Sequence, residues 1–352
     1  MVEKLNIALF EKQANFETED AALFANDFVD VVETATVEID PDIEAQNRGG
    51  GRFGNHPRTV GKYGVNIVLP VNMYSRGTSG DPDFIRLMEC AGWTRRVDDT
   101  YIKMRPTSEI IHAGTLWGYV GGPGTNKSLL HKFGNIVGSL GFTIETAKAA
   151  RMTFTGMGRV VDLPAVATQP SVDDYRERVS APAFLSATCT INGVSYKPVS
   201  IEIVDNQPVE NNLDATHAYG GGDTEITDRN IEFTAVVYAK AIAAQIPHTN
   251  MHNQTAGSFD LRWGSQYAAY DLRMYSSSCR FHNVKPGNNN GVTTWEIQGY
   301  FTNNDVEVWC YNGNTSSYSS SSYSNSSDSD SSSSGSVSVS SASTSSTSSL
   351  SL

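Results

Sequence analysis

The chain has 352 residues, 39% of them hydrophobic, with a mean hydropathy of -0.32 and a net charge of -12. This composition is typical of a soluble protein long enough for two domains, and no segment approaches the roughly 18 apolar residues of a membrane helix. The N-terminus lacks the basic and apolar segments of a secretion signal, so we expect the chain to fold in a cytoplasm. The negative charge disfavours a conventional basic groove for nucleic acid.

Most of residues 1–313 show the alternation and the β-branched or aromatic enrichment of strands. The clearest segments are Thr34–Asp40, Val65–Val71, Tyr101–Arg105, Phe142–Thr146, Arg151–Thr155 and Ile231–Tyr238. Residues 188–205 predict a hairpin, because Asn192-Gly193 suits the positive φ angles of a type I′ turn. Helices are predicted only at Asp20–Phe28, Asp83–Cys90 and Ala239–Ile246.

A small polar loop, Arg76–Asp81, precedes the second of these helices. It has the outline of a phosphate-binding loop, but it contains no lysine and no series of glycines. Ser79 or Asp81 can cap a helix, and Pro82 suits a first helical turn. The loop therefore predicts a corner between a strand and a short helix.

Two charge and cysteine patterns bear on function. Residues 3–44 contain twelve Asp or Glu against two Lys, which fits either a solvated face or a surface that repels polyanions. The four cysteines, at positions 90, 189, 279 and 310, stand singly without a Cys-x-x-Cys pair. Zinc and redox sites need close pairs, so we predict buried free thiols.

The chain also contains an internal repeat. A VEID segment (37–40) leads to a glycine cluster (49–51) and then to a strand (65–71), and an IEIVD segment (201–205) is followed in the same way. Repeats of this kind indicate duplicated structure. We therefore predict a first β domain over residues 1–165, a second over 166–313, and a flexible Ser-rich tail over 314–352, which has too little apolar surface to order.

No motif makes a convincing catalytic or metal site. GGPGTNKS (121–128) lacks the glycine that a phosphate-binding loop needs before its lysine, so a surface turn is predicted. His248 and His252 have i, i+4 spacing, but Pro247 and the surrounding Asn and Thr indicate a loop rather than a zinc-binding helix. Paired carboxylates such as Asp98-Asp99 fall in loops and point apart. We predict no enzyme activity, cofactor or metal.

Two long segments, 41–59 and 206–229, join predicted strands. Loops of this length are uncommon and are functional or disordered. Their Gly, Asn and Arg content suits contact with a neighbouring subunit, and a plain surface loop is the alternative. The candidate contact residues are Asp42, Glu44, Arg48, Arg52, Phe53, Arg58, Tyr219 and Arg229.

The order of these features resembles the tail tube proteins (major tail proteins) of long-tailed bacteriophages. The matching features are the strand Thr34–Asp40, the arm 41–57, Arg58–Gly61, the Gly77–Gly80 corner and the segment Arg86–Gly92. A turn at Phe133–Ile136 followed by paired strands over residues 141–158 completes the pattern. The resemblance covers roughly residues 1–310, and the histidine-containing segment 131–133 and the Ser tail depart from it.

The resemblance implies packed β-sheets or a β-barrel with a short flanking helix, in a virion protein that self-assembles into stacked rings around a channel for DNA ejection. It implies contacts with the tape measure protein and genomic DNA in the lumen and with tail tip and terminator proteins, with no membrane association. Assembly in the bacterial host cytoplasm follows. Because the chain is duplicated, a trimer with pseudo-sixfold symmetry is predicted, with a hexamer as the alternative.

Two other classes stay open. A Ser-tailed β-sandwich that binds carbohydrate or mediates adhesion would use Trp and Tyr in the C-terminal half to stack on sugars. A capsid or decoration protein is the third possibility.

Overall fold

The fold is seen in a computed structural model that describes residues 2–14, 19, 22–32, 35–45, 58–74, 81–98, 100–108, 112–122, 124–172, 181–239, 247–264 and 271–311. The Arg76–Asp81 loop up to Gly80, most of the predicted helix Ala239–Ile246 and the Ser-rich tail lie outside these residues. The described residues fall within one compact unit, Met1–Thr315.

The first part of the chain forms nine strands. They are β1 (Val2–Lys4), β2 (Ile7–Lys12), β3 (Thr36–Ala45), β4 (Arg58–Asn72), β5 (Trp93–Val97), β6 (Tyr101–Pro106), β7 (Gly114–Gly121), β8 (Ser128–Glu145) and β9 (Arg151–Ala167). A 3₁₀ turn at Ala25–Asp27 replaces the predicted helix Asp20–Phe28 within the described residues. The helix α1 (Phe84–Cys90) confirms the prediction for Asp83–Cys90.

The second part of the chain is also mostly β-strand. Its strands are β10 (Thr188–Ile191), β11 (Val194–Tyr196), β12 (Pro198–Asn206), β13 (Val209–Leu213), β14 (Gly221–Ile226), β15 (Asn230–Tyr238), β16 (Gly257–Trp263), β17 (Leu272–Asn289), β18 (Val292–Phe301) and β19 (Glu307–Tyr311). The helix α2 spans Pro247–His252, and a 3₁₀ turn spans Thr302–Asn304. Asn192 and Gly193 have φ of 51° and 75°, which confirms the predicted turn between β10 and β11.

Eight strands form one continuous antiparallel sheet. Its order is β3-β4-β9-β8-β12-β15-β18-β17. The ladder between β8 and β12 pairs residues 141–145 with residues 200–204. Strands from the first and second halves of the chain therefore hydrogen-bond directly to each other. We call this eight-stranded array the continuous sheet.

The long hairpins β8–β9 and β17–β18 also extend into a second layer. There β7 pairs with the N-terminal half of β8, and β2 pairs with the other edge of β7. In the other half, β16 pairs with the N-terminal half of β17, and β10 pairs with the other edge of β16. The opposite edge of β17 pairs with β19, which pairs with β6, and β6 pairs with β5. Apolar side chains from the two layers face each other, and the large fully buried ones include Trp93, Phe154, Phe233 and Trp263.

The two halves share one topology. In the first, the pairing order is β2-β7-β8-β9-β4-β3, and in the second it is β10-β16-β17-β18-β15-β12. Each half also has a short helix at an equivalent place in the chain. The helix α1 lies between β4 and β7 in sequence, and α2 lies between their counterparts β15 and β16. The sequence repeat thus reflects a duplicated arrangement of strands.

A β-bulge recurs at the same place in each half. On β8, Asn135 and Ile136 lie opposite the single residue Gly158 of β9. On β17, Phe281 and His282 lie opposite Gly299 of β18. A Cβ atom at Gly158 would stand 2.8 Å from the carbonyl oxygen of Gly134, and one at Gly299 would overlap the carbonyl of Arg280. Only glycine allows the backbones to approach this closely, and such bulges bend both hairpins between the two layers.

The mainly β fold class is confirmed, with a short helix beside the sheets. The predicted division into domains 1–165 and 166–313 stays a prediction, as does the 314–352 tail. One expectation was wrong: Pro247–His252 is a short helix rather than a loop. Proline is compatible with the first turn of a helix, because its missing N–H has no intrahelical partner there.

Candidate interaction surfaces

The continuous sheet turns one face to the core and the other to solvent. On β3, β12 and β15, buried residues alternate with polar or partly exposed ones, as a half-buried strand requires. The charged residues on the face away from the core are the acids Glu38, Asp40, Glu145, Glu202, Glu232 and Glu296 and the bases Lys62, Arg151, Arg159, Arg280 and Lys285. Three of these bases bind within the chain: Lys62 donates to the carbonyl of Asn211, Arg159 pairs with Glu19, and Lys285 lies 3.8 Å from Glu296. This sheet face is therefore polar, and acids and bases are nearly balanced on it.

Side chains on this face meet their neighbours across the strands. Glu202 lies opposite Thr143 on one side and Thr234 on the other, and the row continues through Gln298 to Asn283. The Asn283 side-chain amide donates a hydrogen bond to Oε1 of Gln298, 2.8 Å away. This bond satisfies part of the hydrogen-bonding capacity of the row, and Arg151, opposite Thr143 on β9, continues the row on the other side.

The two ends of the continuous sheet differ from each other. On β17, residues 285–289 have no ladder partner on the side away from β18 among the described residues. On β3, the corresponding outer edge is covered by β1, with Val2, Glu3 and Lys4 opposite Glu38, Val37 and Thr36. An edge strand with unpaired backbone groups is a template for pairing with another chain.

The 206–229 segment, predicted as an arm, contains the hairpin β13–β14. This hairpin lies on the first half of its own chain. The side-chain amide of Asn211 donates to the carbonyl of Gly158 (3.1 Å), and that of Asn135 donates to Asp223 (2.8 Å). Tyr219 packs edge to face against Tyr63, with ring centroids 6.0 Å apart. The second half thus holds the first half with a folded hairpin.

Arg229 anchors the end of this hairpin. Its guanidinium donates to the carbonyl of Gly92 (2.9 Å), just after α1, and to Oε1 of Gln207 (2.6 Å). The Nε atom lies 3.4 Å from a carboxylate oxygen of Asp205, and only 11% of the Arg229 side chain is exposed. Arg229 therefore directs its hydrogen-bond donors into its own chain. Its predicted role, and that of Tyr219, in contacting a neighbouring subunit stay predictions.

The ion pair of Asp205 with Arg229 is enclosed. The Asp205 side chain is fully buried, and the indole N–H of Trp93 donates to its second oxygen at 3.1 Å. Burial raises the pKa of Asp205 to about 6, although Arg229 and Trp93 act to lower it. Desolvation likewise lowers the pKa of Arg229, against the effect of Asp205. Loss of either partner would leave a charge without compensation in the interior.

The other arm, 41–59, extends the β3–β4 hairpin. Asp42 and Glu44 lie on β3 and Arg58 on β4, with Glu44 opposite Thr59 and Ala45 opposite Arg58 in the ladder. Arg48, Arg52 and Phe53 lie outside the described residues. The described ends of this arm therefore continue the β3–β4 ladder, whereas the counterpart segment in the second half folds as the hairpin β13–β14.

An apolar strip is exposed at the far end of the β8–β9 hairpin. Leu163 is 55% exposed and Val166 is 65% exposed, and Leu129 lies directly opposite Val166 in the ladder. Exposed apolar side chains grouped at one end of a hairpin are candidates for an interaction site. We call Leu129, Leu163 and Val166 the distal strip.

The remaining motifs have structural roles. GGPGTNKS forms the turn between β7 and β8, with Ser128 donating its hydroxyl to the carbonyl of Gly122 (2.9 Å). The ring of His248 packs on Trp295. Within the described residues, no group of three or more His, Cys, Asp or Glu is placed to hold a metal, and no helix is long and apolar enough to cross a membrane.

All four cysteines are buried free thiols, as predicted. Burial raises the pKa of the Cys189 and Cys279 thiols to about 12. Such thiols are inert, because the thiolate is the reactive form.

Sequence reasoning missed the continuous sheet and its free edge on β17. The alternation of Glu38, Asp40 and Glu202 with buried residues was readable, but no local pattern specifies ladders between distant segments, such as that of Gly64 with Arg159. The distal strip was hidden for a similar reason, since Leu129 and Val166 are neighbours only after β8 and β9 pair.

A duplicated, two-layer β protein with a polar sheet face and a free edge strand fits the class of self-assembling structural proteins. The sequence model of the family described as phage tail tube protein matches residues 33–308. The chain belongs to this family, which confirms the resemblance found in the sequence, and it is a structural component of the virion tail. No curated protein matches the chain in a sequence search.

Proposed function

We propose that three copies of this chain close into a ring with pseudo-sixfold symmetry, and that stacked rings form the tube through which DNA is ejected. The observation that carries the proposal is the β8–β12 ladder, which joins the two topologically equivalent halves edge to edge. In a closed ring, the same junction would recur between the second half of one chain and the first half of the next. Three chains of eight strands would then close a barrel of 24 strands.

The charge on the continuous sheet supports the placement of its polar face toward the lumen. Glu38 and Glu202 occupy equivalent places in the two halves. Glu38 is in one row with Met157 and Glu202 in one row with Gln298, and Met157 and Gln298 each precede the glycine opposite the β-bulge. Because Lys62, Arg159 and Lys285 already bind groups of their own chain, they would release few counterions to DNA phosphates, so DNA would pass without being held. The acidic residues on this face thus act by repulsion and require no cofactor.

The arm 41–59 and the distal strip suit contacts between rings. The arm 41–59 carries the candidate residues Asp42, Glu44 and Arg58, and the distal strip offers apolar surface. The tape measure protein and DNA would be partners within the lumen, and tail tip and terminator proteins would cap the tube. Assembly would take place in the bacterial host cytoplasm.

Electron microscopy of the purified full chain at rising concentration tests this function. We expect rings or tubes with a central hole, and class averages of end views should show three chains per ring with an approximate sixfold outline. Six chains per ring would refute the trimer and leave the tube. A chain that stays monomeric at all concentrations, also when seeded with tail tips, would refute the assembly itself.

Charge reversal tests the lumen assignment separately. Glu38→Lys/Glu202→Lys should still form tubes, because both residues point away from the core, but these tubes should retain DNA that wild-type tubes exclude. The matched control is Glu210→Lys/Glu225→Lys, which reverses two exposed charges on the β13–β14 hairpin. Equal DNA retention by both variants would contradict a lumenal position for Glu38 and Glu202.

A further inference from the structure

We infer that β1 is a placeholder strand, occupying in the free chain the edge of β3 that must receive the β17–β18 hairpin of the next chain. This inference rests on the proposed ring. It follows from comparing what covers the same edge in the two halves. On β12 the edge away from β15 is covered by β8, and on β3 the edge away from β4 is covered by β1.

The registers identify the equivalent residues. The residues before the bulge glycines, Met157 and Gln298, lie opposite Asn66 and Thr234. Asn66 lies opposite Glu38 and Thr234 opposite Glu202, so residues 36–40 correspond to residues 200–204. On the hairpins, Gly156 is opposite both Ile67 and Gly138, while Ile297 is opposite both Ala235 and Val284. Residues 141–143 of β8 therefore correspond to Gly287–Asn289 of β17.

Applying the β8–β12 register to the chain-to-chain junction gives a definite pairing. Gly287, Asn288 and Asn289 of one chain would lie opposite Asp40, Ile39 and Glu38 of the next. The turn at Asn290–Gly291 would then stand opposite Val37 and Thr36. These are the positions where Glu3 and Lys4 now lie, and Val2 now pairs with Glu38. One strand position cannot hold both segments, because neighbouring strands are about 4.8 Å apart.

The β17 segment is built to receive such a partner. Its residues from Lys285 to Asn288 are exposed in the free chain, whereas Phe142 and Ile144 of β8 are buried at the completed junction. Pro286, which has no N–H to donate, corresponds to Leu140, one residue outside the β8–β12 ladder. The proline therefore marks the end of the free edge without costing it a hydrogen bond.

The N-terminus is built so that only β1 needs to move. Leu5 is buried and packs against Gly118, and its backbone N–H donates to the carbonyl of Ala35 (3.0 Å). The N–H of Asn6 donates to the carbonyl of Tyr119 (2.8 Å). Leu5 and Asn6 thus fix the start of β2 to the body of the chain, and release of residues 2–4 leaves the core intact.

A reversible disulfide tests this inference. Lys4 and Thr36 are opposite residues of the antiparallel β1–β3 ladder, whose Cα separation of about 4.5–5.5 Å suits a disulfide. Lys4→Cys/Thr36→Cys should fail to form rings when oxidised and should form them after reduction. The matched control, Glu210→Cys/Glu225→Cys, locks the β13–β14 ladder instead and should assemble in both states. Assembly of the oxidised Lys4→Cys/Thr36→Cys chain would overturn the inference.

Deletion of residues 2–4 gives an independent measurement. The shortened chain should assemble at a threshold concentration about tenfold lower, equivalent to about 1.4 kcal/mol, the scale of one or two net backbone hydrogen bonds. An equal or higher threshold would overturn the inference. This holds even where the reduced Lys4→Cys/Thr36→Cys chain fails to assemble, because the deletion does not depend on the disulfide. Failure of the wild-type chain under the same conditions would instead count against the proposed ring.

Discussion

The link between Arg229 and Asp205 should be among the largest single contributions to the stability of this chain. Arg229→Ala removes the hydrogen bonds to Gly92 and Gln207 and leaves the fully buried carboxylate of Asp205 with only the Trp93 indole. Breaking a buried pair by removing one partner costs about 3–5 kcal/mol. We therefore expect Arg229→Ala to lower the free energy of unfolding by about that amount at pH 7.5, measured by urea denaturation.

Two comparisons show whether the cause is the uncompensated charge. Arg105→Ala removes an exposed arginine that lies 3.4 Å from Asp305 and is 59% exposed, so it should cost at most about 1 kcal/mol. Arg229→Met/Asp205→Asn removes both charges and should recover a large part of the stability lost in Arg229→Ala. An Arg229→Ala chain within 1 kcal/mol of wild type would refute the reasoning, and so would a double variant that is no more stable than the single one.

The penalty should also depend on pH in a definite direction. The pKa of Asp205 is raised from 3.8 to about 6 in the folded chain, so the folded state binds the proton more tightly than the unfolded state. This contribution to stability is complete below about pH 4 and is lost as the pH rises through 6. Without Arg229 the pKa should be higher still, so the difference between Arg229→Ala and wild type should shrink between pH 7.5 and pH 5.

Three further predictions concern other parts of the molecule. Wild type should gain up to about 2 kcal/mol of stability as the pH falls from 6.5 to 4.5, and Asp205→Asn should lack this gain. A stability difference between the two chains that stays constant across that range would contradict the raised pKa of Asp205. Gly158→Ala should lower the melting temperature, at a cost of about 1–3 kcal/mol, because its methyl group would meet the Gly134 carbonyl. Gly141→Ala should change the melting temperature little, since a methyl group there has no neighbouring atom within 4 Å, and equal melting temperatures of the two variants would argue against the bulge. Leu163→Asp/Val166→Asp should leave the circular dichroism and melting of the monomer unchanged but reduce tube formation in electron micrographs. Leu213→Asp, at an exposed leucine on β13, is the control, and normal tubes from the double variant would show that the distal strip takes no part in assembly.

The sequence by itself determined the local β-structure. Alternation placed the strands 65–71, 101–105, 151–155 and 231–238 within observed strands, because a half-buried strand must present apolar side chains with a period of two. Asn192-Gly193 fixed its turn through φ angles that only such residues adopt easily. Pro82 before Asp83–Cys90 indicated the start of α1, although the predicted cap Asp81 accepts hydrogen bonds from Arg95 instead. The absence of close cysteine pairs identified the thiols as free.

Only the tertiary structure decided which strands meet. The β8–β12 ladder, the Arg229–Asp205 pair and the contact of Asn135 with Asp223 join residues far apart in the chain, and no local pattern specifies such partners. The helix Pro247–His252 is a related case, since its six residues have weak intrinsic helix preference and short helices gain most of their stability from packing. Strand composition follows from local stereochemistry, whereas strand order follows from burying two apolar sheet faces against each other, which depends on the whole chain.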